Sequence, residues 1–241
     1  MLDHYFRSQI KTYKISSSYI QRNADTLHTL VLYCVDLIDD HLLKKLSKLH
    51  YLRLPFNQSI TDSALQFISL ITRLNLDSNT NITDGGLKYI PLVTHLNLNS
   101  NKNITDEGLK HIPLVTHLDL HYNTNITDEG LKHIPLVIHL DLHCNTNITD
   151  DGLKVIPFIT YLDLYHDEQI TDNGLKYIPF ITHLDLWSKK ITDFGLKFIS
   201  LVTYLNLGPN RNLTDEGIEF IPLLKTLRIR NRILDYQPKK N

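Results

Sequence analysis

Apolar residues recur along this chain in the form apolar-x-apolar, and the last apolar residue of each core falls at Leu32, Leu54, Leu76, Leu98, Leu120, Leu142, Leu164, Leu186, Leu207 and Ile229. Each step is 22 residues except that from Leu186 to Leu207, which is 21. Alternation with period two marks a strand with one buried face, and a repeat in the twenties marks a solenoid whose units bury their apolar sides against one another. In Thr94-His95-Leu96-Asn97-Leu98-Asn99 the two Leu therefore point inward, and His95, Asn97 and Asn99 point out. Stacking the units predicts one parallel sheet.

Three residues after the last Leu stands an Asn, at Asn57, Asn79, Asn101, Asn123, Asn145 and Asn210. A buried amide at that place can bond the loop backbone of its own repeat and of the next. Then follows I-T-D-x-G-L-K-x-I-P, as in Ile104 to Pro113. Thr or Asp caps a helix start, acidic residues suit its positive end, and Pro disfavours continuation, which predicts about two turns of helix on the outer side. The expected fold is a right-handed α/β solenoid, a horseshoe with its parallel sheet on the concave face and short helices on the convex face. Residues 1–28 fit the repeat poorly and read as an N-terminal cap, with Ile15, Tyr19, Ile20 and Leu27 supplying apolar contacts. Residues 29–230 hold about nine to ten units, and 231–241 form a basic C-terminal tail that covers the last repeat only partly, leaving an edge open to self-association.

The tract I-T-D-x-G-L, at Ile60-Thr61-Asp62 with Leu65, again from Ile82, Ile104, Ile126, Ile148, Ile170 and Ile191 and, as Leu-Thr-Asp, at Leu213, resembles the leucine-rich repeats of F-box/LRR proteins. It is also similar to the uniform repeat arrays encoded by giant viruses of amoebae. The resemblance implies a binding scaffold, and in F-box relatives a substrate-holding subunit of a cullin-type ubiquitin ligase. The stretch ahead of the first repeat shows no Leu-Pro pair of the kind that opens an F-box. Substrate-like protein binding is what the resemblance carries over.

A net charge of −1, with 42% hydrophobic and 21% charged residues, exerts no global pull toward nucleic acid or an anionic membrane. The N-terminus lacks the apolar stretch of a signal peptide and no run matches a membrane span, so the expectation is an intracellular, cytoplasmic protein, in the host cytoplasm if viral. Cys34 and Cys144 lie five repeats apart, about 24 Å at strand spacing, and read as free thiols. Five Asn-x-Thr sequons, at Asn81, Asn103, Asn125, Asn147 and Asn212, read as by-products of the repeat.

Function is carried by the outward columns of the sheet. The first runs Tyr51, Arg73, His95, His117, His139, Tyr161, His183, Tyr204; the second Arg53, Asn75, Asn97, Asp119, Asp141, Asp163, Asp185, Asn206, Arg228; the third Pro55, Asp77, Asn99, His121, His143, Tyr165, Trp187, Gly208. Four successive Asp about 5 Å apart repel and raise one another's pKa unless His or cations intervene. A solvated face of a copied repeat explains the columns as well as a binding face does. The candidate partner-binding residues are His117, Asp119, His121, His139, Asp141, His143, Tyr161, Asp163, Tyr165, His183, Asp185, Trp187 and Tyr204, with Tyr161, Tyr165, Trp187 and Tyr204 as anchors. His117, His121, His139 and His143 are weak metal candidates, since residues two apart on a strand sit about 6.6 Å apart. Imidazoles that titrate between pH 5 and 8 would make the face pH-sensitive.

No Gly-rich phosphate loop or nucleophile elbow marks a reacting centre, so no cofactor is expected and a His/Asp-based or metal enzyme is the weaker alternative. A helix Lys column, Lys88, Lys110, Lys132, Lys154, Lys176 and Lys197, is offset by acidic residues on the same helices, against nucleic acid. The reading is a non-catalytic intracellular scaffold for an unidentified protein partner.

Overall fold

A computed structural model describes residues 17–32, 38–229 and 232–235. Strands β1 (Thr29–Val31), β2 (Tyr51–Arg53), β3 (Arg73–Asn75), β4 (His95–Asn97), β5 (His117–Asp119), β6 (His139–Asp141), β7 (Tyr161–Leu164), β8 (His183–Leu186), β9 (Tyr204–Asn206) and β10 (Thr226–Ile229) follow one another in a single sheet. All ten are parallel, paired without slippage: His117 faces His139, Leu118 faces Leu140 and Asp119 faces Asp141. The architecture is the expected α/β horseshoe. Within one repeat Leu96, Leu98, Ile104, Leu109, Ile112 and Val115 are all buried, each burial stabilising by about 1.5–3 kcal/mol. Strict period two pins the register, because a one-residue slip would turn this column of Leu outward.

The helices differ from expectation. Each is a single turn, such as Asp106–Leu109, not two. Beyond it the chain continues in three-residue turns, with His111 N–H donating to Gly108 O, Ile112 to Leu109 O and Val115 to Ile112 O. Turns of that kind rise about 2.0 Å per residue against 1.5 Å in an α-helix, so they span the return to the next strand with fewer residues.

Three side-chain ladders tie the repeats together. The Asn ladder is buried as expected, but it reaches back to the preceding repeat, not on to the next: Asn101 Nδ2 donates to Asn79 O (3.0 Å) and Ile82 O (2.7 Å), while its Oδ1 accepts from Asn103 N–H (2.7 Å) of its own repeat. A second ladder runs along the helices, where Asp84 accepts from both Thr105 N–H (2.8 Å) and Thr105 Oγ1 (2.6 Å) of the next repeat. The helix-start Asp thus serves the neighbouring cap as well as its own helix. Its carboxylate lies where a side chain on Gly108 would begin, 2.2 Å from that Cβ position. Ala64 occupies the corresponding place two repeats nearer the start, where Asp40 still accepts from Thr61 N–H (2.9 Å), so the site accepts a methyl. The third ladder uses the sequon Asn residues: Asn103, Asn125 and Asn147 donate from Nδ2 to Thr80 O, Lys102 O and Thr124 O at 2.5–2.6 Å.

The Asn ladder is interrupted twice. Asp167 takes one rung, accepting from Gln169 N–H (2.7 Å) and Ile148 N–H (3.2 Å). Ser188 takes the next, donating to Ile170 O (2.8 Å). It lies two residues past Leu186 instead of three, which is where the 21-residue step loses its residue.

At the N-terminal end the helix Ser17–Arg22 and a 3₁₀ turn Ala24–Thr26 place Ile20 and Ala24 in the core, whereas Tyr19, read as a source of apolar contacts, is exposed. Ile15 and Cys34 lie outside the described residues. At the other end the segment read as tail contributes β11 (Arg232–Asp235), antiparallel to β10, with Thr226 facing Asp235. Among the described residues no helix is long and apolar enough to cross a membrane.

Candidate interaction face on the concave sheet

The register places the three columns side by side, and their rings stack from strand to strand. In the first column His95 and His117 lie 4.1 Å apart at 8°, His117 and His139 5.5 Å, His139 and Tyr161 3.9 Å, Tyr161 and His183 4.3 Å, and His183 and Tyr204 4.0 Å at 1°. Six rings thus form one file. The Arg228 guanidinium lies over Tyr204 (5.6 Å) at one end, and beyond the other end Arg73 lies over Tyr51 (4.9 Å). The third column makes a shorter file, His121 to His143 (4.2 Å), His143 to Tyr165 (5.0 Å) and Tyr165 to Trp187 (4.8 Å). Gly208 ends it, at φ +52° and with its Cβ position 3.2 Å from Trp187 Cγ. A side chain there would be both strained and pressed against the indole.

Between the files lies the carboxylate row. Asp119, Asp141 and Asp163 each accept the backbone N–H two residues on, from His121 (3.1 Å), His143 (3.0 Å) and Tyr165 (2.9 Å). Asn97 donates to Asp119 (2.7 Å) and Asn206 to Asp185 (2.9 Å), closing the row at both ends. His143 Nδ1 approaches Asp163 at 3.4 Å and His121 Nδ1 approaches Asp141 at 4.0 Å.

For Asp119, Asp163 and Asp185 the expectation of raised carboxylate pKa values holds, with a different leading cause. Burial between the files comes first and repulsion from Asp141 second, together lifting Asp119 to about 7. Burial likewise lifts Asp163 and Asp185 to about 6. These side chains are more enclosed than the outward pattern implied: Asp163 is 13% exposed and Asp141 18%. Desolvation pushes the imidazoles the other way, His95 to about 4 and His117, His121, His139 and His183 below their ordinary value. Burial thus moves the carboxylates toward neutral pH and the histidines away from it.

Toward β2 the same face opens into a trough of about 400 Å³ lined by Arg53, Arg73, Asn75, Asn97, His95 and His117 among others. The concave wall is thus cationic at this end and carboxylate-rich in the middle. On the convex side three of the six Lys of the column, Lys110, Lys132 and Lys154, pair with Glu107, Glu129 and Asp151, whereas Lys88, Lys176 and Lys197 lie over the rings of Tyr89, Tyr177 and Phe220.

Of the sequence candidates, His117 and His139 stack in one file and His121 and His143 in the other, so the four imidazoles do not converge on one point. Ligand-bearing atoms instead gather at His143, Cys144 and His166. Sequence reasoning passed over His166 because it lies outside the alternating strand pattern. It also passed over a stripe of exposed apolar residues, Leu92, Leu114, Leu136, Phe158, Phe180 and Leu201. That stripe was legible as the residue after Pro113, Pro135, Pro157 and Pro179.

A model of the family described as Leucine Rich repeat matches residues 68–90, 91–112, 111–134, 133–156 and 200–221. The fold is that of a leucine-rich-repeat solenoid. The solenoid is similar to the functional domain of InlJ from Listeria monocytogenes, with 26% identity and a TM-score of 0.67 over 86% of this chain, which spans 45% of that structure. It is also similar to a leucine-rich-repeat protein of Leptospira interrogans, with 20% identity, a TM-score of 0.69, and 91% of this chain against 58% of that one. In the Drosophila Toll–Spätzle complex the similarity is 16% identity and TM-score 0.65, over 90% of this chain and 34% of the other. A comparison with curated proteins gives no match.

Proposed function

We propose that this solenoid is a non-catalytic scaffold that binds a protein partner on its concave sheet. The observation that carries this is the carboxylate row Asp119–Asp141–Asp163–Asp185 walled by two files of stacked rings. Such a channel accepts Lys or Arg side chains from the partner: carboxylates neutralise the charge, and Tyr161, Tyr165, Trp187 and Tyr204 present faces for cation–π and apolar contact. Stacking alone does not require the carboxylates. A purely structural face would favour Asn there, as at Asn75 and Asn97, which keep the same backbone bond at 3.2 and 3.1 Å without the charge.

The scaffold reading is intracellular. The sequon amides are engaged between repeats, Asn81 to Gln58 O and Asn212 to Lys189 O at 2.5 Å, so attaching a glycan would compete with a ladder that spans the array. The half-exposed thiol of Cys144 suits a reducing compartment. The resemblance to F-box and giant-virus repeats extends the reading to substrate capture for a ubiquitin ligase in a host cytoplasm.

The test is affinity capture from lysate with the wild-type chain, an Asp141→Asn/Asp163→Asn variant and a Trp187→Ala variant. Asn preserves the fold at those places, where Lys would place a second charge between the rings. Loss of the same captured protein in both variants is expected, and a cullin adaptor in the captured set would establish the ligase extension. Equal capture by all three chains sinks the concave-face assignment.

A further inference from the structure

The residue that follows the third column adopts a left-handed backbone in six successive repeats, Phe56, Ser78, Ser100, Tyr122, Cys144 and His166, with φ between 62° and 78°. This conformation is uncommon for residues with a side chain. Repeated at the same place, it stacks these side chains beside one another along one edge of the sheet, as the bond from Cys144 N–H to Tyr165 O (3.0 Å) between adjacent repeats reflects. Cys144 and His166 are neighbours in that row, and His143 precedes Cys144 on the same turn. Their ligand-bearing atoms all lie within 4.8 Å of one another.

We propose that His143, Cys144 and His166 form a binding site for a borderline-soft divalent metal ion of the Zn²⁺ type, with the fourth position open to water or to a partner's side chain. Thiolate and imidazole are the ligands such ions prefer, and three protein ligands with one open position is a known pattern for zinc. A tetrahedral centre with Zn–S near 2.3 Å and Zn–N near 2.0 Å separates its ligand atoms by roughly 3.3–3.6 Å, so the cluster needs to contract by about 1 Å.

Two features beyond proximity point to a metal. The Asp163 carboxylate, 3.4 Å from His143 Nδ1, makes the carboxylate–imidazole pair that orients a ligating histidine through its other nitrogen. His166 is held by Trp187, stacked at 4.7 Å and 29°, and by Tyr165 edge-on at 4.5 Å. Repeat copying does not explain the cluster, because the other left-handed positions carry Phe, Ser, Ser and Tyr. Ion binding replaces the thiol proton with the metal, so one proton is released for each Zn–S bond formed.

The test titrates the full chain with Co²⁺ under reducing conditions, followed by Zn²⁺ competition. One equivalent of Co²⁺ should give a thiolate-to-cobalt charge-transfer band and intense tetrahedral ligand-field bands, which Zn²⁺ abolishes. Cys144→Ser should remove the charge-transfer band, and His166→Ala should weaken cobalt affinity by more than about tenfold. Ser stands at the corresponding place in Ser78 and Ser100, so the Cys144→Ser chain keeps its fold, and its thermal melt without metal should match wild type. Cys34→Ser and His111→Ala are the controls and should leave the titration unchanged. A wild-type chain that shows no charge-transfer band overturns the site, as does a band that survives Cys144→Ser.

Discussion

Asp167 is the rung that breaks the Asn ladder, and its chemistry differs from its neighbours' in a measurable way. An ionised carboxylate only accepts, so it satisfies Gln169 and Ile148 N–H but donates nothing to the carbonyls that Asn145 reaches at the same place, Asn123 O (3.3 Å) and Ile126 O (2.8 Å). Burial raises Asp167 to about 6. The native state therefore binds more protons than the unfolded chain between about pH 4 and pH 6, and stability falls as pH rises through that window. Asp167→Asn should remove this fall and stabilise the chain by roughly 1–2 kcal/mol at pH 7.5, with little gain at pH 4. Urea midpoints of both chains at the two pH values check it. The opposite change, Asn101→Ala, strands the carbonyls of Asn79 and Ile82 in the core and should cost about 2–4 kcal/mol.

At the scale of the element, the single-turn helices are too short to be stable alone, and their caps are what fix them. Thr127 Oγ1 accepts from Glu129 N–H (3.2 Å) and donates to Asp106 of the preceding repeat (2.6 Å). One hydroxyl therefore serves both a helix start and a repeat junction. Thr127→Ala should cost roughly 1–2 kcal/mol, at the upper end for an N-cap, because the Asp106 carboxylate also loses a donor. The expected signature is a lower denaturation midpoint with an unchanged slope, since the exposed surface on unfolding stays the same.

At the scale of the molecule, each repeat packs on its neighbours, so the concave face is a serial addition of strands whose chemistry drifts from Arg53 and Arg73 through the Asp row to Arg228. The row loses charge as Asp119, Asp163 and Asp185 protonate between about pH 7 and pH 6, while burial disfavours charging of the neighbouring His95, His117, His121, His139 and His183. Affinity for a basic partner segment should therefore fall several-fold from pH 8 to pH 5.5, and fall further with added salt. Binding isotherms of the captured partner at the two pH values and two salt concentrations test this. A flat profile would mean that the row does not meet the partner's charges.

The 22-residue alternation of Leu, the Asn rung and the Thr cap were legible in the sequence, because a period of two and a fixed step leave one way to bury the apolar column in every copy. The same pattern sorts the outward residues into columns. It could not say how deeply those columns lie, since the enclosure of Asp119 and Asp163 is set by how side chains of stacked repeats pack around them. Nor did it show that the helix-start Asp reaches the next repeat's Thr, or that the chain resumes as β11 beyond the last parallel strand. His166 belongs to the same class. Its place beside Cys144 depends on a left-handed turn in each of two stacked repeats, and linear spacing does not encode a backbone twist that only packing against the neighbouring repeat makes affordable.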